Sequence, residues 1–416
     1  MAQSRALWYH APTMLTPNSV IALFAWLIGL FLMWRVPSLA QGRRAGGGGG
    51  EEAVDAECPS ISVIIPARNE SRRIAPLLES LGQQAARPFE VIVVDDHSTD
   101  GTAAVAEGYG VTLIQSQALP NGWTGKTWAC WQGARRAAGE LLLFLDADTW
   151  LEPGGLAALV RAYVKGGGLL TVQPYHVTCR PYEELSAFFS IVLMAGLNAF
   201  TPLGESIPPG GGFGPCVLCA KADYARAGGH RDARSGVLES ISLARLFLKH
   251  GLPVRCYGGR GGVSFRMYPG GLGQLVEGWS KGFGTGALSI RWPFLLLAVA
   301  WVTGCFATGS VLLRALLSPG TRAILPPALL YGAYVLQIRW MLARIGSFRW
   351  WTAILFPLPL CFFALVMLRS LVMIHLLGRV SWRGRTVATA RRDDAGGDGD
   401  GDGDGDEVEV EVELCG

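Results

Sequence analysis

Residues 140–148 read Glu140-Leu141-Leu142-Leu143-Phe144-Leu145-Asp146-Ala147-Asp148. An unbroken apolar run has no polar face to turn to water, so it predicts a strand buried on both sides of a sheet. It stops abruptly on two carboxylates. The same pattern occurs upstream in Ile61 to Pro66 (ISVIIP) and in Phe89 to Val94 (FEVIVV), which ends at Asp95-Asp96. A further strand is expected at Val111 to Ile114. Between these runs, Glu70 to Gln84 carries Ile74, Leu77, Leu78 and Leu81 at helical spacing, the stripe a surface helix buries. A short helix is expected after Asp100-Gly101, and another over Thr127 to Ala138. Strands separated by helices at this spacing predict βαβ units, a mainly parallel sheet and an α/β fold. Ligands of such sheets bind beyond the carboxyl ends of the strands. There the chain delivers Arg68 and Glu70, Asp95 and Asp96, and Asp146 and Asp148.

Those groups point to phosphate chemistry. Asp146 and Asp148, two residues apart at a strand end, offer hard oxygen donors suited to Mg²⁺ or Mn²⁺. Such ions take one or two protein carboxylates and complete their shell with substrate phosphates. Asp95-Asp96 can accept hydrogen bonds from a nucleobase or ribose. Lys126, one of only five lysines in the chain, can neutralise a diphosphate. No G-x-x-x-x-G-K-[ST] loop is present and no G-x-G-x-x-G follows the first strand, which argues against nucleotide hydrolysis and dinucleotide oxidoreduction.

Three segments carry a resemblance: Ser62 to Glu70 (SVIIPARNE), Val94 to Thr102 (VDDHSTDGT) and Asp146-Ala147-Asp148. Over about residues 60–260 they look like the family 2 glycosyltransferases of GT-A fold. The resemblance implies inverting transfer of a sugar from a nucleotide-sugar, usually UDP-linked. It also implies that Pro66, Arg68, Glu70, Asp95 and Asp96 line the nucleotide site, while Asp146 and Asp148 hold ribose, metal and diphosphate. A narrower likeness runs through Pro120 to Lys126, Gln173 to His176, Tyr182 to Phe189, Gly214 to Cys216, Tyr224 to His230, Arg266 to Tyr268 and Glu277 to Lys281. These segments resemble the membrane glycosyltransferases of carotenoid-acid and hopanoid pathways, which implies glucose transfer to an isoprenoid lipid or carotenoid acid. In one place the chain departs from the family pattern. The family places Glu-Asp before a helix reading x-x-L-A-R, with one of these acids as general base; here Val237 to Arg245 reads VLESISLAR. Glu239 is therefore the expected catalytic acid, and Ser240 stands where Asp would be. Either Glu239 is the base, or catalysis is impaired, or the acceptor is a carboxylic acid, already ionised near neutral pH, and needs none.

Composition supplies the setting. Of 416 residues 50% are apolar and only 17% charged, against about a quarter charged in an ordinary soluble domain. The formal charge of +3 hides an asymmetry: the last 26 residues hold 11 acids, and residues 1–390 hold 34 bases against 22 acids, a net +12. A basic body suits anionic lipid or a phosphorylated substrate; with the motifs above, no nucleic acid partner is expected. Nine scattered cysteines read as reduced, buried thiols, and Cys216-x-x-Cys219 stands alone, without a second pair.

Val20 to Trp34 is apolar and followed by Arg35, Arg43 and Arg44, the pattern of an uncleaved anchor whose far end faces the cytoplasm. Further candidate spans are Pro293 to Leu317, Ile324 to Leu342, and Trp350 to Leu377; either the last is a hairpin turning at Pro357-Leu358-Pro359 or one of the three does not span, since three spans after the anchor would place Arg379 to Arg392 outside. The expected organisation is an anchor over 1–45 (span about 17–34), a flexible linker over 46–59 and a catalytic domain over 60–265. An interfacial acceptor segment (266–292), membrane segments (293–378) and a basic, then acidic, disordered tail (379–416) follow. The protein so described is a multi-pass cell-membrane enzyme with its catalytic domain on the cytoplasmic side. Acceptor contacts are expected from Phe188 and Phe189, in the apolar stretch Ser186 to Phe200, and from Trp279 and Lys281, which suit the headgroup layer. Two competing readings are a polysaccharide synthase, with Gln337-Ile338-Arg339-Trp340 one residue short of the Gln-x-x-Arg-Trp of such enzymes, and a decayed nucleotide-sugar sensor.

Overall fold

In the computed structural model, residues 17–39, 59–234, 239–286, 291–317, 324–377, 379–382 and 385–388 are described. After helix α1 (Pro17–Leu32) the chain runs β1 (Ile61–Ala67), α2 (Ile74–Gly82), β2 (Glu90–Asp95), α3 (Thr102–Glu107), β3 (Thr112–Gln115), α4 (Gly125–Arg136) and β4 (Leu141–Leu145). Then come β5 (Thr149–Leu151), α5 (Gly155–Val164), β6 (Leu169–Gln173), β7 (Tyr175–His176), α6 (Ala187–Gly196), β8 (Cys216–Ala220), α7 (Lys221–Arg226), α8 (Gly229–Ala233), α9 (Glu239–Lys249), β9 (Val254–Gly258) and β10 (Val263–Phe265). The helices α10 (Leu272–Gly286), α11 (Trp292–Leu317), α12 (Leu325–Ile345), α13 (Trp350–Ile354) and α14 (Pro357–Leu377) complete this part.

Seven strands form the main sheet in the order β3-β2-β1-β4-β8-β6-β9. β1 pairs in parallel with both β2 and β4, β2 with β3, and β6 with β9, while β8 runs antiparallel between β4 and β6. This is the mainly parallel α/β sheet that the sequence predicts. Two of the three runs behave as expected: every residue of β4 is buried, and so is all of β1 except the half-buried Pro66, whereas β2 starts at Glu90, with Phe89 63% exposed and Val91 half-buried. Helix α2 buries the four predicted residues Ile74, Leu77, Leu78 and Leu81. It starts at Ile74 rather than Glu70, because the Ser71 amide is bound by Asp100 Oδ2 at 3.1 Å and Glu70 is drawn into the strand-end cluster. Helix α4 opens on a Thr124–Thr127 capping box. Gly133 lets it lie close on the sheet, since a Cβ there would meet Ile64 Cγ2 at 2.5 Å.

Cys216 and Cys219 both lie on β8. Side chains three apart on a strand face opposite ways, and these two join different core clusters on the two faces of the sheet. They cannot chelate one ion, and burial pushes both thiols up.

Among the described residues one helix, α11, is long and apolar enough to cross a membrane. Helix α1 spans only 16 residues, and α12 carries Gln337, Arg339 and Arg344 in its second half. Gln337 is interior glue: it accepts from Trp301 Nε1 at 3.0 Å and donates to the Trp26 carbonyl at 2.6 Å, joining α1, α11 and α12. That role supports no synthase motif. Of the two alternatives for the last candidate span, the hairpin at Pro357–Pro359 is the one that fails. Both prolines fall in the first turn of α14, where a missing N–H costs nothing and the fixed φ favours helix entry, so the chain runs on as a 21-residue helix.

The expected disorder from residue 379 is corrected in part. Arg379–Trp382 and Arg385–Ala388 pair antiparallel as β11 and β12 in a second compact unit, Val372–Gly416. Val380 and Trp382 alternate with polar residues at the strand period, which charge counting overlooks. The acidic stretch from 389 and residues 40–58, which contain nearly all of the expected linker, lie outside the described residues.

Candidate active site

The carboxyl ends of β1, β2 and β4 lie side by side, and their polar residues form one linked cluster. Asp95 ends β2 in the interior, 2% exposed. Its Oδ2 accepts the Ser98 amide at 3.2 Å, while Oδ1 is buried with no hydrogen-bond partner among the described residues. Asp96 is held by Arg68, whose Nη1 lies 3.1 Å from Oδ2 and 3.2 Å from the Asp96 carbonyl. Against Asp96 rests the N-terminus of α4. That approach requires glycine, because a Cβ on Gly125 would meet Asp96 Oδ2 at 2.3 Å.

The next residue along α4 is Lys126, whose ammonium Nζ sits 2.7 Å from Asp146 Oδ1 and 2.8 Å from Glu239 Oε1. One cation thus ties the end of β4 to the start of α9. Burial works to lower the Lys126 pKa, but the charges of Asp146 and Glu239 overcome it and hold the amine well above the ordinary lysine range. Burial likewise works to raise Glu239, and Lys126 wins again, holding this carboxyl below its usual value. A carboxylate in that state is a poor base.

Asp148 is met from the other side. Arg73 bridges Glu70 at 3.3 Å and Asp148 at 3.8 Å. Burial, then the charges of Asp146 and Glu70, push the Asp148 carboxyl up to about 7 against the pull of Arg73 and Lys126. Negative charge is therefore under-compensated here. Among the described residues no group of three or more His, Cys, Asp or Glu stands ready as a closed metal cage. Two hard carboxylates with open coordination fit Mg²⁺ or Mn²⁺ completed by phosphate oxygens, and do not fit a structural zinc site.

A small pocket lies at this junction, lined among others by Pro66, Lys126, Asp146, His230, Glu239 and Ser240. The predicted Pro66, Arg68, Glu70, Asp95, Asp96, Lys126, Asp146, Asp148 and Glu239 thus all fall at the same strand ends or on the helices that face them. Sequence reasoning missed Arg73, whose signal was its position three residues after Glu70 at a helix entry. His230 also faces this pocket: it is buried, bound through Nδ1 to the Tyr224 hydroxyl at 2.8 Å, and burial lowers it to about 4.

The expected acceptor contacts are placed differently. Phe188 and Phe189 are fully buried, and Trp279 is 4% exposed. Phe189 stacks on Trp279 at 4.7 Å, and the indole N–H donates to Ser186 Oγ at 3.0 Å. An apolar helix reads the same whether it lines a groove or fills a core; here it fills the core, and the headgroup role foreseen for Trp279 gives way to packing. Lys281 lies in α10, with its side chain outside the described residues. Tyr268 links this packing to the strand ends: its ring lies 5.6 Å from Trp279, and burial followed by the Asp148 charge raises its phenol.

Comparison with known proteins follows the same lines. The pattern described as "Glycosyl transferase family 2" matches residues 62–211. The 4,4'-diaponeurosporenoate glycosyltransferases of Staphylococcus aureus strains MRSA252 and USA300 are each 37% identical over 338 residues, 80% of this chain and 89% of theirs. A mannosyltransferase of Pyrobaculum calidifontis, solved with GDP-Man and Mn²⁺, superposes with a TM-score of 0.49 at 18% identity, covering 84% of this chain and 99% of that one. For glucosyl-3-phosphoglycerate synthase of Mycobacterium tuberculosis with Mn²⁺, UDP and phosphoglyceric acid, the TM-score is 0.40 at 21% identity, over 61% and 86% of the two chains.

Proposed function

The chain belongs to glycosyl transferase family 2 and is a glycosyltransferase, and from that premise we propose that it joins a sugar to the carboxylate of a lipophilic acceptor at a membrane. The donor is a nucleoside-diphosphate sugar, UDP-glucose by analogy with the carotenoid-pathway likeness. Residues 60–265 form the catalytic domain, 266–292 the segment that leads the acceptor in, and 293–378 the membrane part. The apolar length of α11 supports the last of these.

The observation that carries the reading is the Lys126 bridge. With Ser240 in the family's Asp position, Glu239 is the carboxylate left to serve as base, and it is spent on an ion pair that lowers its basicity. A hydroxyl acceptor lacking its base loses roughly 10²–10⁴-fold in rate. An acid acceptor loses nothing, since it arrives ionised. The relatives are named for such a substrate, 4,4'-diaponeurosporenoate.

Asp95, Asp96 and Arg68 are the groups for base and ribose, with Pro66 and Glu70 beside them. Asp146 and Asp148 are those for Mg²⁺ or Mn²⁺, which when bound would offset the charge growing on the departing diphosphate. Lys126, 2.7 Å from Asp146, adds an ammonium beside these acids. A carboxylate oxygen of the acceptor attacks the anomeric carbon from the face opposite the diphosphate. The new C–O bond forms as the bond to phosphate breaks, the electron pair leaves on the diphosphate, and the anomeric centre inverts. No proton is removed in the step.

The test pits a long-chain isoprenoid acid against the corresponding alcohol, each with UDP-glucose and Mn²⁺. The expected product is an alkali-labile glycosyl ester, formed from the acid alone and retained by Glu239→Gln to within about tenfold, since no base is lost. Efficient transfer to the alcohol that Glu239→Gln abolishes would overturn the reading.

A further inference from the structure

A second cavity of about 180 Å³ lies past the carboxyl end of β9 and shares no lining residue with the first; it is lined by Arg35, Val36, Ser38, Arg260 and Arg344. The three arginines come from three places: just past α1, the β9–β10 turn, and the last turn of α12. Backbone contacts fix the walls. The Gly258 amide donates to the Pro37 carbonyl at 2.8 Å, Ser38 bridges Gly258 as a strand residue would, and the Arg35 amide donates to the Phe200 carbonyl at 3.0 Å. Arg344 is oriented by stacking on Trp340 at 3.8 Å, and its Nη1 donates to the Met33 and Trp34 carbonyls at 3.1 and 3.2 Å. That leaves most of the donors of its guanidinium fork for other partners.

Among the described residues no carboxylate lies within ion-pair distance of Arg35, Arg260 or Arg344. Three like charges held around one cavity repel one another and call for an anion. Arginine forks with a serine hydroxyl beside them match phosphate oxygens. The surroundings choose the phosphate's source. Phe24 and Leu27 of α1 are 64% and 50% exposed, and Trp34, next to Arg35, is 56% exposed. Apolar side chains turned outward, then a tryptophan, then a cationic pocket reproduce the order of acyl chain, interface and headgroup in a bilayer.

We propose that this cavity binds the phosphate of an anionic phospholipid whose acyl chains lie along the exposed face of α1. The inference rests on the membrane placement proposed above and concerns a site separate from the transferase cleft.

The test uses the full chain in neutral detergent and follows its melting temperature with added phosphatidylglycerol, phosphatidylcholine or inorganic phosphate. Phosphatidylglycerol is expected to stabilise at roughly tenfold lower concentration than phosphatidylcholine, with inorganic phosphate without effect. The double variant Arg35→Gln/Arg260→Gln, both surface positions, should melt normally without lipid and lose the preference. Equal response to the two lipids, or a preference that survives in the variant, overturns the proposal. Stabilisation by inorganic phosphate matching that by lipid overturns the lipid source. Failure of the membrane placement itself looks different: the chain would stay dispersed with no detergent at all.

Discussion

Two pairs of acids in this molecule are treated in opposite ways. Glu183 and Glu184, each 2% exposed, stand side by side just before α6. Glu183 accepts from the Cys179 and Arg180 amides at 2.6 and 3.3 Å and from Arg266 through Nε and Nη2 at 3.1 and 2.6 Å. Burial pushes its carboxyl up, but the Arg266 and backbone hydrogen bonds prevail and leave it below the usual range. Glu184 accepts from Thr178, from the Arg349 amide and from Thr352, which pins the start of α13. Among the described residues Asp146 and Asp148, at the end of β4, pair with Lys126 and a distant Arg73 alone, and Asp148 stays raised to about 7. A buried acid whose oxygens are all engaged holds structure together. One left short of positive charge is prepared to receive it from a ligand, and perturbed groups gathered in a cleft are where function concentrates.

The contrast is broken most directly by removing charge from each pair in turn. Asp148→Asn and Asp146→Asn should each lower sugar transfer by about 10²-fold or more, the scale of losing a group that stabilises transition-state charge. Melting temperature should hold or rise in Asp148→Asn, because a source of repulsion is gone, and fall in Asp146→Asn, which takes from Lys126 its 2.7 Å partner. Initial rates against Mn²⁺ concentration, alongside thermal melts, check this; rates near those of the parent with either variant would strip the β4 acids of their proposed role. Chelation by EDTA should reproduce the loss in the parent chain and be reversed by Mn²⁺ or Mg²⁺.

In the other pair the effects should be reversed. Glu183→Ala leaves Arg266 without its bidentate partner, a change that costs about 2–3 kcal/mol for hydrogen bonds to a charged group. The lower part of the range for broken ion pairs applies because Arg266 is 30% exposed. Denaturation should shift to lower temperature, while transfer per folded molecule stays close to the parent. If the rate collapses and the melt does not move, Glu183 belongs to the chemistry and the division between the pairs fails.

The sequence made Glu183 and Glu184 hard to see and Asp146 and Asp148 easy, for a physical reason. Strands such as Ile61–Ala67 and Leu141–Leu145 declare themselves locally, since burial on both faces demands an unbroken apolar run. The acids at their ends inherit their position from the sheet. Glu183 acquires its meaning from Arg266, 83 residues away, and no periodicity signals such a pairing. The Lys126 bridge to Glu239 is equally nonlocal: each residue could be singled out by its motif, yet their contact could not. Phe188, Phe189 and Trp279 fail differently. Their apolar character was legible and their setting was not, because hydrophobic patterning reports that a face is covered and not by what. Length and hydropathy found α11, whereas the shared interior of α1, α11 and α12 around Trp301, Tyr334 and Gln337 emerged only in three dimensions.

The smallest effect sharpens the comparison through pH. Asp148, raised from 3.8 to about 7, takes up a proton in the folded metal-free chain where the unfolded chain does not, so its ionised form detracts from stability above pH 7. That deficit fades as pH falls from 7 toward 4. His176 runs the other way. Burial, against the charge of Glu183, lowers it to about 4, so the unfolded chain gains a proton near pH 6.5 that the folded chain refuses until pH 4. Its contribution is present above pH 6.5 and is lost toward pH 4. In the parent chain His176 and His230, both lowered to about 4, oppose Asp148 over the same window, so the pH profile of the parent alone does not report the aspartate. Subtracting the profile of Asp148→Asn isolates the aspartate, because His176 and His230 are common to both. The variant should melt above the parent by an amount greatest at pH 8 in EDTA and shrinking toward zero near pH 4. A difference independent of pH would mean that Asp148 is as well compensated as Glu183, and the two acid pairs would then be alike.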